Sequence, residues 1–134
     1  MYGKLALKPA FENIIIAKKP ISEKTTKLNL LVHGTGTINI GRLRELRGDD
    51  RYPDTIFYHP KAKASEHGSP HPCVKPISLM VDLVALYCPV GETVLDPFAG
   101  SGTTGIAARN LGHPVVLIDN DPEMRSEIER RLRA

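Results

Sequence analysis

The sequence has no tryptophan, only two cysteines and few aromatic residues, which make up 5% of the chain. Cys73 and Cys88 are too few for a disulfide framework, so a reducing, cytoplasmic location is the simpler interpretation. No apolar run reaches the roughly 18 residues that a membrane helix needs, and the first residues lack a signal-peptide pattern. These absences argue against a disulfide-stapled secreted scaffold and against a membrane protein.

The size and composition of the chain predict a single globular domain. It has 134 residues, of which 41% are hydrophobic and 25% are charged. A chain of this length can bury one modest core, covering roughly two thirds of its unfolded surface, and its composition lies outside the disordered range. There is no room for a cofactor domain together with a full substrate domain. Residues 1–134 are therefore predicted to form one domain.

Charge is distributed unevenly along the chain. Residues 1–75 carry 13 Lys or Arg and 7 Asp or Glu, a net charge of +6 with His neutral, whereas residues 76–134 carry 5 and 8, a net charge of −3. A basic segment favours a polyanionic partner, which predicts that the first part faces one. A solvated surface is the alternative interpretation, because a run of charge alone is a weak signal of binding. This alternative concerns Lys18, Lys19, Lys24 and Lys27.

The first part of the chain shows few regular patterns. Residues 11–17 (FENIIIA) form an apolar, β-branched run that predicts a buried strand. Residues 33–36 (HGTG) are typical of a turn, and a loop that faces DNA or a cofactor is the alternative. Residues 53–76 hold five of the 11 prolines, which break helices and central strands, so we expect an ordered loop or irregular crossover there.

From Pro76 onward the pattern becomes regular. Ile77–Tyr87 predicts a helix, and one apolar face of it is expected to pack in the core. That face holds Leu79, Met80, Leu83, Val84 and Tyr87. A strand over 93–95, a Gly-rich turn over 96–102, a helix over 103–111 stopped by Gly112, and a strand over 115–118 follow. Asp121 and Pro122 are the predicted N-cap and first residue of a last helix reaching about residue 133. This β-α-β-α order predicts an α/β fold with a parallel sheet and a right-handed crossover.

The Gly-rich turn carries the clearest chemical signal. Gly100, Gly102 and Gly105 match G-x-G-x-x-G between a strand and a helix, where glycines let the backbone turn sharply and approach a ligand. Asp119 lies 19 residues after Gly100, at the end of the next strand, where a carboxylate can accept hydrogen bonds from both ribose hydroxyls. The pattern predicts a cofactor that contains a nucleoside.

The charges around the turn narrow the class of cofactor. No Lys follows the glycines as in a Walker A loop, which argues against a nucleoside triphosphate. Asp96 would repel a pyrophosphate, so a NAD-linked oxidoreductase is the least favoured interpretation. A cationic ligand fits better. S-adenosylmethionine combines a ribose with an α-ammonium and a sulfonium group.

Residues 96–104 (DPFAGSGTT), preceded by residues 71–76 (HPCVKP), resemble the cofactor segment of the DNA amino-methyltransferases, which modify N6 of adenine or N4 of cytosine. The order is most similar to the subgroup in which the cofactor motif follows the catalytic one. Residues 7–12, 33–36 and 57–62 also resemble phage and bacterial members, so the resemblance spans nearly the whole chain. It implies S-adenosylmethionine as cofactor, double-stranded DNA as substrate, a role in DNA methylation and restriction-modification, and a partial doubly wound, Rossmann-like methyltransferase fold.

The resemblance also implies a set of cofactor-binding residues. Those of the Gly-rich turn would line the methionine and ribose, the two threonines would hold the carboxylate at the helix N-terminus, and Asp119 would take the ribose hydroxyls. Lys75 and the segment from His71 would close over the same pocket. The full set is Lys75, Asp96, Phe98, Gly100, Ser101, Gly102, Thr103, Thr104 and Asp119. Cys73 stands where the family usually has Thr, and it keeps a small side chain.

The catalytic tetrapeptide of that family, D/N/S-P-P-Y/F, does not occur in the sequence. In the family its polar residue and backbone carbonyls hold the target amino group while the aromatic residue stacks on the flipped base. Residues 96–98 (DPF) have a single proline and belong to the cofactor turn. We therefore assign no catalytic residue and interpret the chain as the C-terminal, cofactor-binding portion of a methyltransferase.

Because the tetrapeptide is missing, a second function stays open, and a partner that supplies the motif is expected. The alternative is a non-catalytic cofactor-binding or DNA-binding remnant or subunit. A partial sheet leaves strand edges unpaired, so we expect a homodimer or a complementing chain that carries the catalytic motif. In this interpretation residues 1–75 face DNA and form the crossover, and residues 76–134 bind the cofactor.

Two further groups of residues have plainer interpretations. Zinc ligation is an alternative for His67, His71, Cys73 and Cys88, but their spacing meets no standard ligand template, and no metal site is predicted. Cys88 is interpreted as a small buried apolar residue. The arginines near the C-terminus are interleaved with Glu127 and Glu129, which favours a solvated helix end over phosphate contact. These are Arg125, Arg130, Arg131 and Arg133.

Overall fold

The computed structural model describes residues 11–63 and 73–133 of the chain. Within them the backbone forms five helices and two strands. In chain order these are α1 (Thr26–His33), α2 (Ile40–Arg47), α3 (Ile77–Tyr87), β1 (Val94–Asp96), α4 (Thr103–Asn110), β2 (Val115–Leu117) and α5 (Pro122–Arg133). The chain divides between Gly36 and Thr37 into two compact units.

In the first unit, residues 11–20 run without regular structure and are all exposed. Ile15 exposes 92% of its surface. The prediction of a buried strand over residues 11–17 is therefore wrong for this structure. A strand needs a neighbouring strand for its N–H and C=O groups, and the described part of this unit contains no second strand that could pair with it.

α1 begins and ends at capping residues. At its start, Thr25 Oγ1 accepts a hydrogen bond from a first-turn amide at 3.1 Å, and at its end Gly34 has a φ of 67°. The buried Asn29 holds the chain that follows, because its Nδ2 donates to Thr35 O at 3.0 Å. Residues 33–36 are thus a helix end followed by a turn.

The second unit is built around a parallel pair of strands. β1 and β2 pair in parallel, with Leu95 opposite Val116. The pairing continues past β2, where Ile118 N donates to Asp96 O at 2.9 Å. α4 links the two strands and contacts both of them, and α5 contacts α4. The predicted β-α-β-α order and the parallel pairing are confirmed.

Small residues let α4 approach its neighbours closely. Ala107 and Ala108 expose 0% of their surface. α3 packs against α4, and its predicted helical range is confirmed. Its deepest apolar residues differ in part from the expected face, because Tyr87 is exposed and Leu79, Met80 and Leu83 are half-buried. The buried ones are Val84, Ala85 and Leu86.

α2 joins the same core through Leu43, which is 1% exposed. An ion pair also links α2 to α3, because Arg47 Nη2 donates to Asp82 Oδ2 at 2.6 Å. Residues 53–63 contain neither helix nor strand, as predicted for the start of the proline-rich stretch. The part of that stretch over 64–72 lies outside the described residues.

α5 starts at the predicted cap. Asp121 Oδ1 accepts a hydrogen bond from Glu123 N at 2.8 Å, and the helix buries Met124 and Ile128 against the unit. Of the helices in residues 11–63 and 73–133, α5 is the longest with 12 residues. None of them is long and apolar enough to cross a membrane.

Candidate functional site

The Gly-rich turn between β1 and α4 depends on left-handed backbone at two glycines. Gly100 has a φ of 50° and Gly102 a φ of 76°, a region that residues with a side chain rarely enter. Gly102 is also the N-cap of α4, and its N–H donates to Ala99 O at 2.8 Å. A Cβ on Gly102 would lie 3.0 Å from Ile128 Cγ1 of α5. Both conformation and space therefore require glycine at residue 102.

α4 begins directly after this turn. Because Gly102 has no side chain, no side-chain hydrogen bond caps the helix. First-turn N–H groups in such a position attract an anion, helped by the helix dipole. Ser101 and Thr103 are buried, and their hydroxyl oxygens lie 3.2 Å apart, whereas Thr104 is half-buried. The two buried hydroxyls thus contact each other within the turn.

Asp119 is held at the carboxyl end of β2. Its Oδ2 accepts a hydrogen bond from Gly100 N at 2.7 Å, and its Oδ1 accepts one from Asp121 N at 2.9 Å. The structure thus brings together Gly100 and Asp119, which the sequence pattern placed at one site. These two backbone donors orient the carboxylate.

Asp96 and Phe98 lie at the start of the same turn. Asp96 Oδ1 accepts a hydrogen bond from Phe98 N at 3.0 Å, and this carboxyl group is half-buried. The Phe98 side chain is 87% exposed. The turn therefore combines an anionic group with an accessible aromatic ring, and with Asp119 it has two carboxylates, which favour a cationic ligand.

Lys75 is exposed and lies just before α3. α3 packs against α4, whose N-terminus forms the site. The participation of Lys75 in the pocket remains a prediction, and His71 lies outside the described residues.

Arg131 is a residue that sequence reasoning missed. It is half-buried, and its Nη1 donates to Ser101 O at 2.6 Å and lies 3.5 Å from Thr103 Oγ1. The expectation of a solvated helix end is wrong here, although it holds for Arg133, which is exposed beside Glu129. The one available signal was spacing, since Arg131 follows the buried Ile128 by about one helical turn.

The zinc interpretation gains no support from the residues that can be placed. In residues 11–63 and 73–133, no group of three or more His, Cys, Asp or Glu side chains is arranged to hold a metal ion. His67 and His71 lie outside those residues. Cys88 is half-buried with its Sγ 3.5 Å from His113 Nδ1, and burial raises the pKa of this thiol, aided by the charge of Glu92. A raised pKa keeps the thiol protonated and poorly reactive.

Comparison with known proteins identifies similar sequences. A family model described as DNA methylase matches residues 3–130. The type II methyltransferase M.HindIII of Haemophilus influenzae is 35% identical over 106 residues, which cover 78% of this chain and 34% of that protein. The type II methyltransferase M2.DpnII of Streptococcus pneumoniae is 31% identical over 96 residues, which cover 72% and 36%. The chain thus spans about a third of the length of these curated relatives.

A solved structure extends the similarity to the fold. The crystal structure of the M1.HpyAVI–SAM complex matches with a TM-score of 0.54 and 28% identity, covering 64% of this chain and 41% of that one. This similarity supports the predicted α/β methyltransferase fold class. Because the family model covers nearly all of the sequence, the chain belongs to the N6/N4 DNA methylase family.

Proposed function

We propose that this chain is the C-terminal, cofactor-binding part of a cytoplasmic DNA amino-methyltransferase that uses S-adenosylmethionine to methylate adenine N6 or cytosine N4. The observation that carries the proposal is the Asp119 carboxylate, which Gly100 N holds at 2.7 Å beside the N-terminus of α4. The M1.HpyAVI relative, whose crystal structure is a complex with SAM, supports the choice of cofactor.

The residues present fit the chemical groups of S-adenosylmethionine. Asp119 would accept hydrogen bonds from the ribose hydroxyls, as strand-end carboxylates do in nucleoside sites. The first-turn amides of α4 at Thr103 and Thr104 would bind the carboxylate, and Asp96 would face the cationic groups. Phe98 would cover the ligand with its exposed ring, and Lys75 would close the pocket. When bound, the cofactor supplies a methyl group on a sulfonium that an amino nitrogen can attack.

DNA contact is proposed for the basic first part of the chain. In the second unit, the lining of a groove of about 410 Å³ includes Tyr52 and Tyr58 together with two arginines and three aspartates. Arg47 pairs with Asp82 and Arg51 with Asp49, whereas the two tyrosines are 65% and 85% exposed. Exposed aromatic rings can stack on a base that has been flipped out of the duplex, and the net charge of +6 over residues 1–75 suits a polyanion, so double-stranded DNA is the proposed substrate.

Methyl transfer needs groups that this sequence lacks. The tetrapeptide D/N/S-P-P-Y/F is absent from the 134 residues. We propose that further polypeptide, carrying that motif, holds the target amino group against the cofactor, and that this chain binds and orients the cofactor. A non-catalytic remnant that binds cofactor or DNA is the second candidate, favoured by the same absence.

The cofactor proposal is tested by titrating S-adenosylmethionine into the chain in a calorimeter. Asp119→Ala should weaken binding by on the order of 1.5 to 3 kcal/mol, or about 10- to 150-fold, because hydrogen bonds to a charged group are lost. Asp121→Asn is the matched control. It removes a carboxylate from the same loop but keeps the amide that donates to Asp119 and an oxygen that can cap α5, so its affinity should match the unmodified chain.

Either of two calorimetric results would contradict the assignment of Asp119. One is unchanged affinity in Asp119→Ala, and the other is an equal loss in Asp121→Asn. No binding by the unmodified chain would contradict the proposal that the chain itself holds the cofactor.

A second experiment measures transfer of labelled methyl groups to unmethylated double-stranded DNA. The chain alone should give no incorporation above background, since it lacks the catalytic tetrapeptide. Adding a polypeptide that carries the tetrapeptide should produce incorporation, and the same addition with the tetrapeptide mutated should not. Robust transfer by the chain alone would refute the proposed division of labour, and no transfer by any combination would favour the remnant.

A further inference from the structure

α5 packs against the back of the Gly-rich turn at two points. Ile128 is 8% exposed and lies so close to Gly102 that a Cβ there would be 3.0 Å from its Cγ1. About one helical turn further on, Arg131 Nη1 donates to Ser101 O at 2.6 Å. Both contacts reach the two residues that precede α4.

With the hydrogen bond from Arg131, one peptide group has partners at both its N–H and its C=O. The Ser101–Gly102 peptide has its N–H bonded to Ala99 O at 2.8 Å and its C=O bonded to Arg131. Ser101 is only 5% exposed, so this carbonyl needs a protein partner. A glycine can adopt many backbone conformations, and with both ends of the peptide bonded, Gly102 is restricted to the left-handed conformation that starts α4.

We propose that Arg131 is a positioning residue for the cofactor site. It acts through the Ser101–Gly102 peptide and holds the first-turn amides of α4 in the direction from which a ligand binds. The inference rests on the proposed function for the identity of the ligand, whereas the restraint on the turn does not depend on any ligand. A guanidinium suits this task, because it can approach Ser101 O and Thr103 Oγ1 together, at 2.6 and 3.5 Å.

The test compares Arg131→Ala and Arg131→Lys with Arg133→Ala in the full chain. Arg133 is the matched control, because it is an arginine of the same helix end that is exposed and pairs with Glu129. Amide hydrogen exchange of Gly102 is measured by NMR without ligand, with the Cys88 amide, which donates to Val84 O at 2.9 Å, as an internal reference. S-adenosylmethionine affinity is measured by calorimetry.

Arg131→Ala should speed exchange at Gly102 by about tenfold, as expected for losing a hydrogen bond to a charged group, with Cys88 unchanged. It should weaken cofactor binding by a similar factor. Arg131→Lys should recover part of both effects, since an ammonium can still donate to Ser101 O, and Arg133→Ala should leave both unchanged. If Arg131→Ala fails to fold, Arg131→Lys decides, with an intermediate exchange rate at Gly102 as the expected result.

Unchanged Gly102 exchange in the variants would overturn the inference. So would faster exchange at Gly102 and Cys88 alike, which would show a general loss of stability. A chain that binds no S-adenosylmethionine but shows the local exchange effect would contradict the proposed function and leave the restraint by Arg131 supported. Binding that is equally strong in Arg131→Ala would overturn its role at the cofactor site.

Discussion

Gly105 determines how closely α4 lies on β2. A Cβ at this position would be 2.5 Å from Leu117 Cδ1 and 3.4 Å from Leu132 Cδ2. The first distance is well below the separation of about 3.5 to 4.0 Å at which carbon atoms pack. The third glycine of the G-x-G-x-x-G pattern thus serves helix–strand packing, whereas Gly102 serves the turn itself.

Gly105→Ala should therefore destabilise the chain. Alanine favours helix by up to about 1 kcal/mol over glycine, but overpacking costs about 1 to 3 kcal/mol. We expect a net loss of about 1 kcal/mol in the free energy of unfolding, measured by urea denaturation. Gly41→Ala is the control, because this helical glycine has its nearest atom at 3.7 Å and should gain stability. Equal gains in both variants would contradict the packing argument.

Single residues of the site differed in how far the sequence could predict them. The pairing of Gly100 with Asp119 followed from spacing, because strand and helix lengths in a βαβ unit bring these positions together. Arg131 could not be found in this way. The charged residues Arg130 and Arg133 lie close to it in sequence, and only the crossing of α5 behind the turn shows that its guanidinium contacts Ser101.

At the scale of the element, α5 contains an ion pair between a buried glutamate and an exposed arginine. Glu127 is 7% exposed, and its carboxylate accepts two hydrogen bonds at 2.8 Å from Arg130, one turn later in the helix. Hydrogen bonding to the Arg130 guanidinium lowers the pKa of Glu127 below its ordinary value of 4.5, although burial opposes this. A carboxyl group with a lowered pKa stabilises the fold above its ordinary pKa.

Glu127→Gln should consequently reduce stability at neutral pH but not at low pH. The ion pair is fully formed above about pH 4.5, and its contribution disappears as the pH falls through the lowered pKa of Glu127. Because Arg130 is 60% exposed, the loss at pH 7 should stay below about 1 kcal/mol. The loss of stability is measured by urea denaturation at pH 7 and pH 3. Glu129→Gln, which removes an exposed partner of Arg133, should have a smaller effect at both pH values.

The elements themselves were predictable where local signals suffice. The caps Asp121 and Gly112, and the alternation of apolar runs with turn residues, located the β-α-β-α segment to within about two residues. Residues 11–17 had equally clear strand composition but form no strand. Strand formation depends on a partner elsewhere in space, which composition does not reveal.

For the whole molecule, the most notable surface is one face of the two-stranded sheet. The other face is covered by α4, whereas Leu95 and Val116, which lie opposite each other, are 62% and 48% exposed. Ile118, two residues after Val116, is 52% exposed. Parallel sheets are normally covered on both faces, so this apolar surface indicates a site for further polypeptide. We propose that a second copy of this chain covers it when the chain is isolated.

The isolated chain should therefore self-associate through this face. We expect concentration-dependent dimers or larger species in sedimentation velocity, and the double substitution Leu95→Thr with Val116→Thr should shift them toward monomer. Threonine keeps β-propensity and both side chains point away from α4, so circular dichroism should be unchanged. Val90→Thr is the control, since Val90 is 74% exposed but precedes β1.

A polypeptide that carries the catalytic tetrapeptide should compete with self-association. A chain that stays monomeric at every concentration, or a double variant that associates as before, would show that this face does not bind a second copy.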